Sequence, residues 1–461
     1  MRTELCRLLR NPDVLGVALR AEVRFCGRAP MCIKGIATDS REVCAGDLFV
    51  ALKGEHTDGV LHIGEALRRG AGGLLVPTGT PLPAGDLVAY FVPSVEQALL
   101  AAAAYRRGAL GGRVIAVGGS VGKTTVKEAV TRVLAACGEV RCNEGNYNSS
   151  VGMPLSLLSM EDAPHLVLEL GINHPGEMAA LSRALAPDLA LLLNVGCAHI
   201  GNFQSRDELI HEKLQIAAGL RTGGALLLPD TLCGAETGAR ILRVGKGQEA
   251  DFRAENISVA KKGTVLDIRC GDRVITKLAW PIPGESGVNT LAFVASVGML
   301  AGCSDDAIRQ GLRVAGQYTP RMRRVRAGTR LLLDDTYNAA PESVLAALET
   351  LVHTANGRPA VAVLGDMLEL GKFSDALHGT VGEAAANSGI CALFTCGTRA
   401  EDIAKAARRA GLSQVQSFAE EDIEALAEAI CRTTPPDAVI LFKAAHRMML
   451  GRAVAAVRRL V

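Results

Sequence analysis

The chain has 461 residues, too many for one ordinary core and about right for three domains of roughly 150 residues each. It is 49% hydrophobic but only 3% aromatic, and its net charge of +2 leaves no basic field, which excludes general nucleic-acid binding and favours a small anionic substrate. The cysteines, thirteen in all, are scattered singly without a C-x-x-C pair; this excludes a disulfide framework or a zinc knuckle and suits a reducing cytoplasm.

The stretch Met1-Arg2-Thr3-Glu4-Leu5 carries charge early and no apolar segment follows it, so a secretory signal is not expected. Residues 1–110 read as short strands and turns that end in an alanine-rich helix from Ser94 to Leu110. Within them Thr38-Asp39-Ser40-Arg41 is a polar turn feeding a buried strand; Arg41 meets a diphosphate or is a plain surface arginine. From 111 to 317 strands alternate with helices, at Val114–Val117, Leu166–Leu170, Leu189–Val195 and Ala225–Leu228, the pattern of a parallel α/β sheet. Between Asp251 and Ile282 the pattern changes to short alternating strands, a small antiparallel patch with turns at Lys262-Gly263 and Gly271-Asp272. The uncharged run Ser286 to Ser304 has only a short apolar portion, Leu291 to Met299, and reads as a buried helix with no insertion into a membrane. After Pro320 four further strand-helix units follow, with strands at Leu331–Leu333, Ala360–Leu364, Ala392–Cys396 and Ala438–Phe442, a doubly wound domain over 318–461.

The chemistry concentrates first at Gly119-Ser120-Val121-Gly122-Lys123-Thr124-Thr125, between the strand Val114–Val117 and a helical pattern with Val126, Val130, Val133, Leu134 and Cys137 on one face. Glycines there let backbone N–H groups turn toward phosphate oxygens, the helix start adds positive potential, Lys123 reaches outer phosphates, and Thr124 offers a hydroxyl to Mg²⁺. The loop is a shortened variant, since the usual first glycine falls on Val117 inside the strand. Glu169 ends the next apolar strand, where a carboxylate holds Mg²⁺ or pairs with a basic side chain. His199 follows the strand after that, as a metal ligand or a satisfied lone histidine. Lys213 lies among Leu209, Ile210, Leu214 and Ile216; burial there lowers its pKa toward the neutral amine that captures CO₂ as a carbamate, while a lysine reaching solvent is the plainer alternative. Asp334 and Asp335 stand side by side at a strand end, to be satisfied by a ribose, a cation or a helix cap, and Gly365-Asp366 repeats the arrangement, which suggests a shared cleft.

Taken together, these stretches resemble the Mur ligase family of ATP-dependent amide-forming enzymes, over nearly the whole chain. The resemblance rests on the shortened loop, on Gly145-Asn146-Tyr147-Asn148 followed by Gly152-x-Pro154, on Asp335-Thr336-Tyr337-Asn338-Ala339 and on Gly365-Asp366-Met367-x-Glu369-Leu370-Gly371. It implies an α/β protein of three domains: an N-terminal one (1–110) that holds a UDP-linked substrate, a central P-loop parallel-sheet ATPase (111–317), and a Rossmann-like C-terminal one (318–461) that closes over the nucleotide. Implied cofactors are ATP and Mg²⁺, and implied partners are UDP-N-acetylmuramoyl-tripeptide and D-alanyl-D-alanine, with one chain sufficing.

By the same resemblance Lys123, Glu169, His199 and carbamylated Lys213 are catalytic, and Thr124, Glu169, His199 and Lys213 hold metal. The loop 119–125, Asn289, Arg321 (in Pro320-Arg321-Met322) and Asp335 bind ATP, and Ser40, Arg41, Asn146, Asn148, Tyr337 and Asn338 contact the other substrates. Three places depart from the family pattern: Ser286-Gly287 replaces His-Asn, Lys443-Ala444-Ala445-His446-Arg447 replaces Lys-Gly-Ser-Arg, and Val60-Leu61 separates Gly59 from His62. Other readings are a third-residue-adding or folylpolyglutamate-type ligase, a P-loop NTPase, or a nucleotide-binding scaffold without catalysis.

Overall fold

The computed structural model describes residues 1–54, 57–232, 237–318 and 321–461, so Pro320 lies outside the described residues. Its strands form three sheets. The first contains β1 (Arg2–Glu4), β2 (Glu22–Cys26), β3 (Gly35–Ala37), β4 (Leu48–Val50), β5 (Gly73–Pro77) and β6 (Leu87–Val92), in the order β1-β3-β4-β5-β6-β2. Its middle pairs are parallel and both edge strands antiparallel. The helix Val95–Gly108, capped by the Ser94 hydroxyl on the Gln97 N–H, then packs against helices of both the first and the second unit.

The second sheet holds β7 (Arg113–Gly118), β8 (Val140–Cys142), β9 (His165–Glu169), β10 (Leu189–Leu192), β11 (Ala225–Pro229), β12 (Arg240–Gly245), β13 (Phe252–Ala260), β14 (Gly263–Cys270) and β15 (Arg273–Trp280). Its order is β15-β14-β13-β12-β11-β10-β7-β9-β8. The run β8 to β13 is parallel, and its strands are apolar because helices cover both faces. The antiparallel strands β13 to β15 turn where expected, but they extend this same sheet through β12 instead of forming a separate patch. Between β9 and β10, the strand β7 is the point where the chain's progression across the sheet reverses, and the loops at the C-terminal ends of these three strands open a crevice.

The third sheet contains β16 (Arg323–Ala327), β17 (Arg330–Asp334), β18 (Ala360–Gly365), β19 (Ala392–Cys396), β20 (Val415–Phe418) and β21 (Val439–Lys443), in the order β16-β17-β21-β18-β19-β20. All pairs are parallel except β16 with β17. Both edge strands escape the sequence pattern: β16 reads Arg-Arg-Val-Arg-Ala, and β20 is four residues with no fully buried member. Among the described residues no helix is long and apolar enough to cross a membrane.

Two local expectations need correction. The strand expected to reach Val195 stops at Leu192, because Asn194 leaves the ladder to accept the Ser120 and Val121 N–H groups. The helix after the phosphate loop, Lys123–Ala135, ends before Cys137, which is exposed. The buried run does form the helix Glu285–Leu300.

Gly219 follows the turn that ends the Lys213 helix and lies against the helix Glu177–Leu185; a Cβ there would sit 2.0 Å from the Ser182 carbonyl oxygen. Gly219→Ala should therefore destabilise the fold by about 1–3 kcal/mol through forced displacement of one helix. Urea unfolding of the purified variant reads this directly, and an unchanged midpoint would refute the packing argument.

Candidate active site

A cleft of about 430 Å³ opens between the second and third sheets. Its floor is the phosphate loop. Gly119 (φ +146°) and Gly122 (φ +86°) occupy backbone conformations that disfavour a side chain, and they bend the chain from β7 into the helix Lys123–Ala135. That helix begins without a side-chain cap, so its first-turn N–H groups face the cleft unmatched, an arrangement suited to phosphate oxygens. Lys123 Nζ folds back onto the carbonyls of Gly119 (2.9 Å) and Ser120 (3.5 Å). Burial pulls its pKa down, Glu169 opposing and Arg321 adding to the shift.

Glu169, the last residue of β9 and 2% exposed, is held from two sides. Thr124 Oγ1 donates to its Oε2 (2.9 Å) and Asn148 Nδ2 to its Oε1 (2.6 Å). Its backbone is clamped in turn: Asn143 accepts the Glu169 N–H and donates to the Glu169 carbonyl, and the fully buried Lys127 donates to the Asn143 carbonyl (2.6 Å). A hydroxyl and a buried carboxylate at the start of a phosphate-binding helix fit a hard divalent cation, which keeps several oxygens from phosphate and water. The fit requires such outside oxygens, since no group of three or more His, Cys, Asp or Glu side chains gathers as a metal cage among the described residues.

Behind the loop, Ser120 Oγ is a junction. It accepts Lys213 Nζ at 2.5 Å and the Gly196 N–H at 2.7 Å, while the Ser120 N–H donates to Asn194 Oδ1 at 3.1 Å. Lys213 sits on the short helix Arg206–Leu214, is 2% exposed, and does not reach the open cleft. Burial, with Lys123 nearby as a second cause, lowers its pKa to about 7. The expected burial is thus present, and the amine is largely neutral near physiological pH.

The third sheet closes the other wall. Asp335, after β17, forms a buried ion pair with Lys443 at the end of β21, and Lys443 also donates to the Asn338 carbonyl at 3.0 Å. Burial lowers the pKa of Lys443, and Asp335 opposes that shift. Asp334 instead pairs with Arg323 at 2.7 Å and accepts from the Thr336 hydroxyl. Protein cations, rather than a cap, thus satisfy the two acids, although Asp335 Oδ1 stays buried without a partner beside the cleft. Arg321 lies over the Tyr337 ring, 4.0 Å from its centroid, and His446 meets the same ring edge-on at 5.6 Å.

Lys123, Thr124, Glu169, His199, Arg321, Asp335, Tyr337, Asn338, Asn146 and Asn148 all line this one cleft, as do Ser120, Val121, Gly122 and Thr125. His199, in a left-handed conformation, points Nδ1 at the Glu369 carboxylate from the third unit. Other residues are placed elsewhere. Asn289 does not line the cleft; its helix presents Ser286 and Thr290 instead, one turn apart on the adjoining face. Asp366 turns away to accept the Ala400 N–H at 2.6 Å, so the repeated motif Gly365 to Gly371 meets the cleft not through that acid but through Glu369, at His199. Ser40 donates to Glu65 (2.6 Å), and Arg41 is exposed and paired with Asp39 (2.7 Å); both lie on the first unit and do not line the cleft, although Met1, which pairs with Glu42 of the same turn, does. The sequence pattern did not single out Asn194, Lys127 or Lys443 for a role, although Asn194 and Lys443 both stand at strand ends within quoted motifs.

Family models match along the chain: the Mur ligase family catalytic domain at 32–104, the Mur ligase middle domain at 117–297 and the Mur ligase glutamate ligase domain at 320–446. The UDP-N-acetylmuramoyl-tripeptide--D-alanyl-D-alanine ligase of Escherichia coli (strain K12) is 34% identical over 82% of this chain and 84% of its own length. The chain belongs to the Mur ligase family. The protein of the same name from Bacillus subtilis (strain 168) is 31% identical over 92% of both chains. Among solved structures, a MurF from Acinetobacter baumannii superposes with a TM-score of 0.85 at 26% identity, covering 97% of this chain and 98% of that one. A MurF ligase from Thermotoga maritima in complex with ADP gives 0.80 at 26% identity, over 92% and 97%.

The Lys213 shift has a sign that can be tested in this Mur ligase. Between pH 7 and 10.5 the unfolded chain binds a proton at Lys213 that the folded chain has lost, so stability should rise with pH through this window. Lys213→Met should remove that share of the rise. Parallel stability-against-pH curves for the two proteins, from urea melts between pH 6.5 and about 10, would contradict the burial account.

Proposed function

We propose that this chain is an ATP-dependent ligase that joins D-alanyl-D-alanine to UDP-N-acetylmuramoyl-tripeptide through an acyl phosphate, a step of peptidoglycan precursor synthesis. The observation that carries this reading is the convergence of Lys123, Thr124, Glu169, Arg321 and Asp335, from two different sheets, on one cleft. The substrates come from the shared name of relatives that match over 82% and 92% of the chain.

A carboxylate is unreactive toward an amine until an oxygen becomes a leaving group, which is what ATP supplies. The uncapped first turn and Lys123 receive the phosphates; the ammonium leaves the Gly119 and Ser120 carbonyls, its partners in the absence of an anion, for the transferring group. Bound Mg²⁺ supplies charge neutralisation on the phosphoryl oxygens. Thr124 and Glu169 would hold that ion, with Asn148 fixing the other oxygen of Glu169, and His199 would serve a second ion. Lys213, whose pKa burial lowers to about 7 so that a large share of the amine is neutral near physiological pH, is suited to capture CO₂ as a carbamate behind Ser120. From the C-terminal side, Arg321 and Asp335 complete the nucleotide's surroundings, and Tyr337 and Asn338 border the incoming amine. Closure over the acyl phosphate excludes water, the competing nucleophile.

In this reading, residues 1–110 hold the UDP moiety through Ser40 and Arg41, 111–317 form the ATPase unit, and 318–461 bring the dipeptide. One chain lines the whole cleft, so a monomer suffices. Every cysteine among the described residues is a free thiol, in keeping with a cytoplasmic setting.

The test is phosphate release from ATP with UDP-muramoyl tripeptide, with and without D-alanyl-D-alanine, together with mass detection of the pentapeptide product. Release that depends on both substrates supports the ligase; release indifferent to the amine would mark a simple NTPase instead. Lys123→Ala should lower kcat by about 10²-fold or more while leaving the melting temperature near wild type.

A further inference from the structure

Glu342 belongs to the first turn of the helix Pro341–Ala355 in the third unit, yet its carboxylate is seated on the second. Oε1 accepts the Cys197 N–H at 2.7 Å, while Oε2 is sealed from solvent and has no partner. The seat exists because residue 196 is glycine: a Cβ there would stand 2.3 Å from Glu342 Cδ and 2.5 Å from Oε2. Gly196 is one residue from the N–H that Glu342 grips, and its own N–H holds Ser120 Oγ at 2.7 Å. The same oxygen receives Lys213 Nζ. An unbroken path of short contacts therefore runs from the third unit, through the Gly196–Cys197 turn, to the phosphate loop.

We propose that Glu342 is a positioning residue: its carboxylate latches the C-terminal unit onto the Gly196–Cys197 turn and so sets Ser120 and Lys213 for phosphoryl transfer only when the two units are docked. This rests on the ligase reading of the phosphate loop. A buried carboxylate with one oxygen unmatched is unfavourable by itself. It persists here because neighbouring contacts hold the units together, among them the Gly201 N–H on the Glu369 carbonyl (2.9 Å) and Lys372 on the Gln204 carbonyl (3.1 Å). Such a group adds little adhesion and much dependence on docking geometry. Glu342 also counters the effect of burial on Lys213, so its charge is felt at that amine.

The experiment compares steady-state ligase kinetics of wild type, Glu342→Ala, Glu342→Gln, Gly196→Ala and the double variant Glu342→Ala/Gly196→Ala, each checked by thermal melting. With activity expressed per folded protein, as fixed by the melts, Glu342→Ala and Gly196→Ala should each lose about tenfold in kcat with the KM for UDP-muramoyl tripeptide within about twofold. Glu342→Gln keeps an acceptor for the Cys197 N–H and should stay within about threefold of wild type. The three atoms that a Cβ at 196 would meet first all belong to Glu342, so the double variant should be no slower than Glu342→Ala alone. A wild-type kcat in Glu342→Ala, or losses that multiply in the double variant, would overturn the latch while leaving the ligase intact. A wild type that makes no product overturns the ligase reading, and the latch falls with it. Should Gly196→Ala fail to fold, Glu342→Gln against Glu342→Ala decides alone.

Discussion

The hydroxyl of Ser120 is the point on which the site depends. One oxygen takes two donors, the Gly196 N–H from the loop after β10 and Lys213 Nζ from a separate helix, and the Ser120 N–H is held by Asn194. A glycine-bounded loop has little conformational preference of its own, so these external bonds fix its path; the Ser120 and Val121 N–H groups are spent on Asn194, and those left for the cleft belong to the first turn of the helix Lys123–Ala135. The same contacts bury Lys213 and lower its pKa, which ties the reactivity of that amine to the shape of the loop.

A second constraint is the placement of charge at strand ends. Parallel strands covered on both faces tolerate polar groups only where they terminate, and the structure uses these positions throughout: Glu169 at the end of β9, Asn194 after β10, Asp335 after β17, Lys443 at the end of β21. Each is engaged by groups from another part of the chain, although Asp335 Oδ1 keeps no partner. Asp335 and Lys443 neutralise each other in the third unit, and Glu169 is held by Thr124 and Asn148 in the second. The cleft thus has acids and bases already aligned on opposite walls before any ligand contributes charge.

Contacts between the second and third units are apolar as well as polar: one core cluster runs from Leu170, Ile200 and Phe203 to Ala339, Val344 and Leu370. His199 meets Glu369, Gly201 meets the Glu369 carbonyl, and Glu342 enters the Gly196–Cys197 turn. Two of them need glycine: a Cβ on Gly201 would lie 2.5 Å from the Gly371 nitrogen, and one on Gly196 would meet Glu342.

Much of the fold was legible in the sequence because its signals are local. Apolar runs bounded by glycine marked β7, β9, β11 and the parallel strands of the third sheet, and the phosphate loop announced itself by residue type and spacing alone. The basic edge strand β16, the early end of β10 and the use of Asp366 as an N–H acceptor were not legible, because each depends on a partner distant in the chain. Lys213 shows the division most clearly: its apolar neighbours foretold burial, but only the tertiary structure brings it to Ser120. The sequence by itself determined which residues could bind phosphate and where strands and helices run, since periodicity and glycine placement act over a few residues. Which acids face the cleft, which are consumed by protein cations, and which cross from one unit to the next were decided by packing, because an ion pair or a hydrogen bond exists only where the folded chain brings its two ends together.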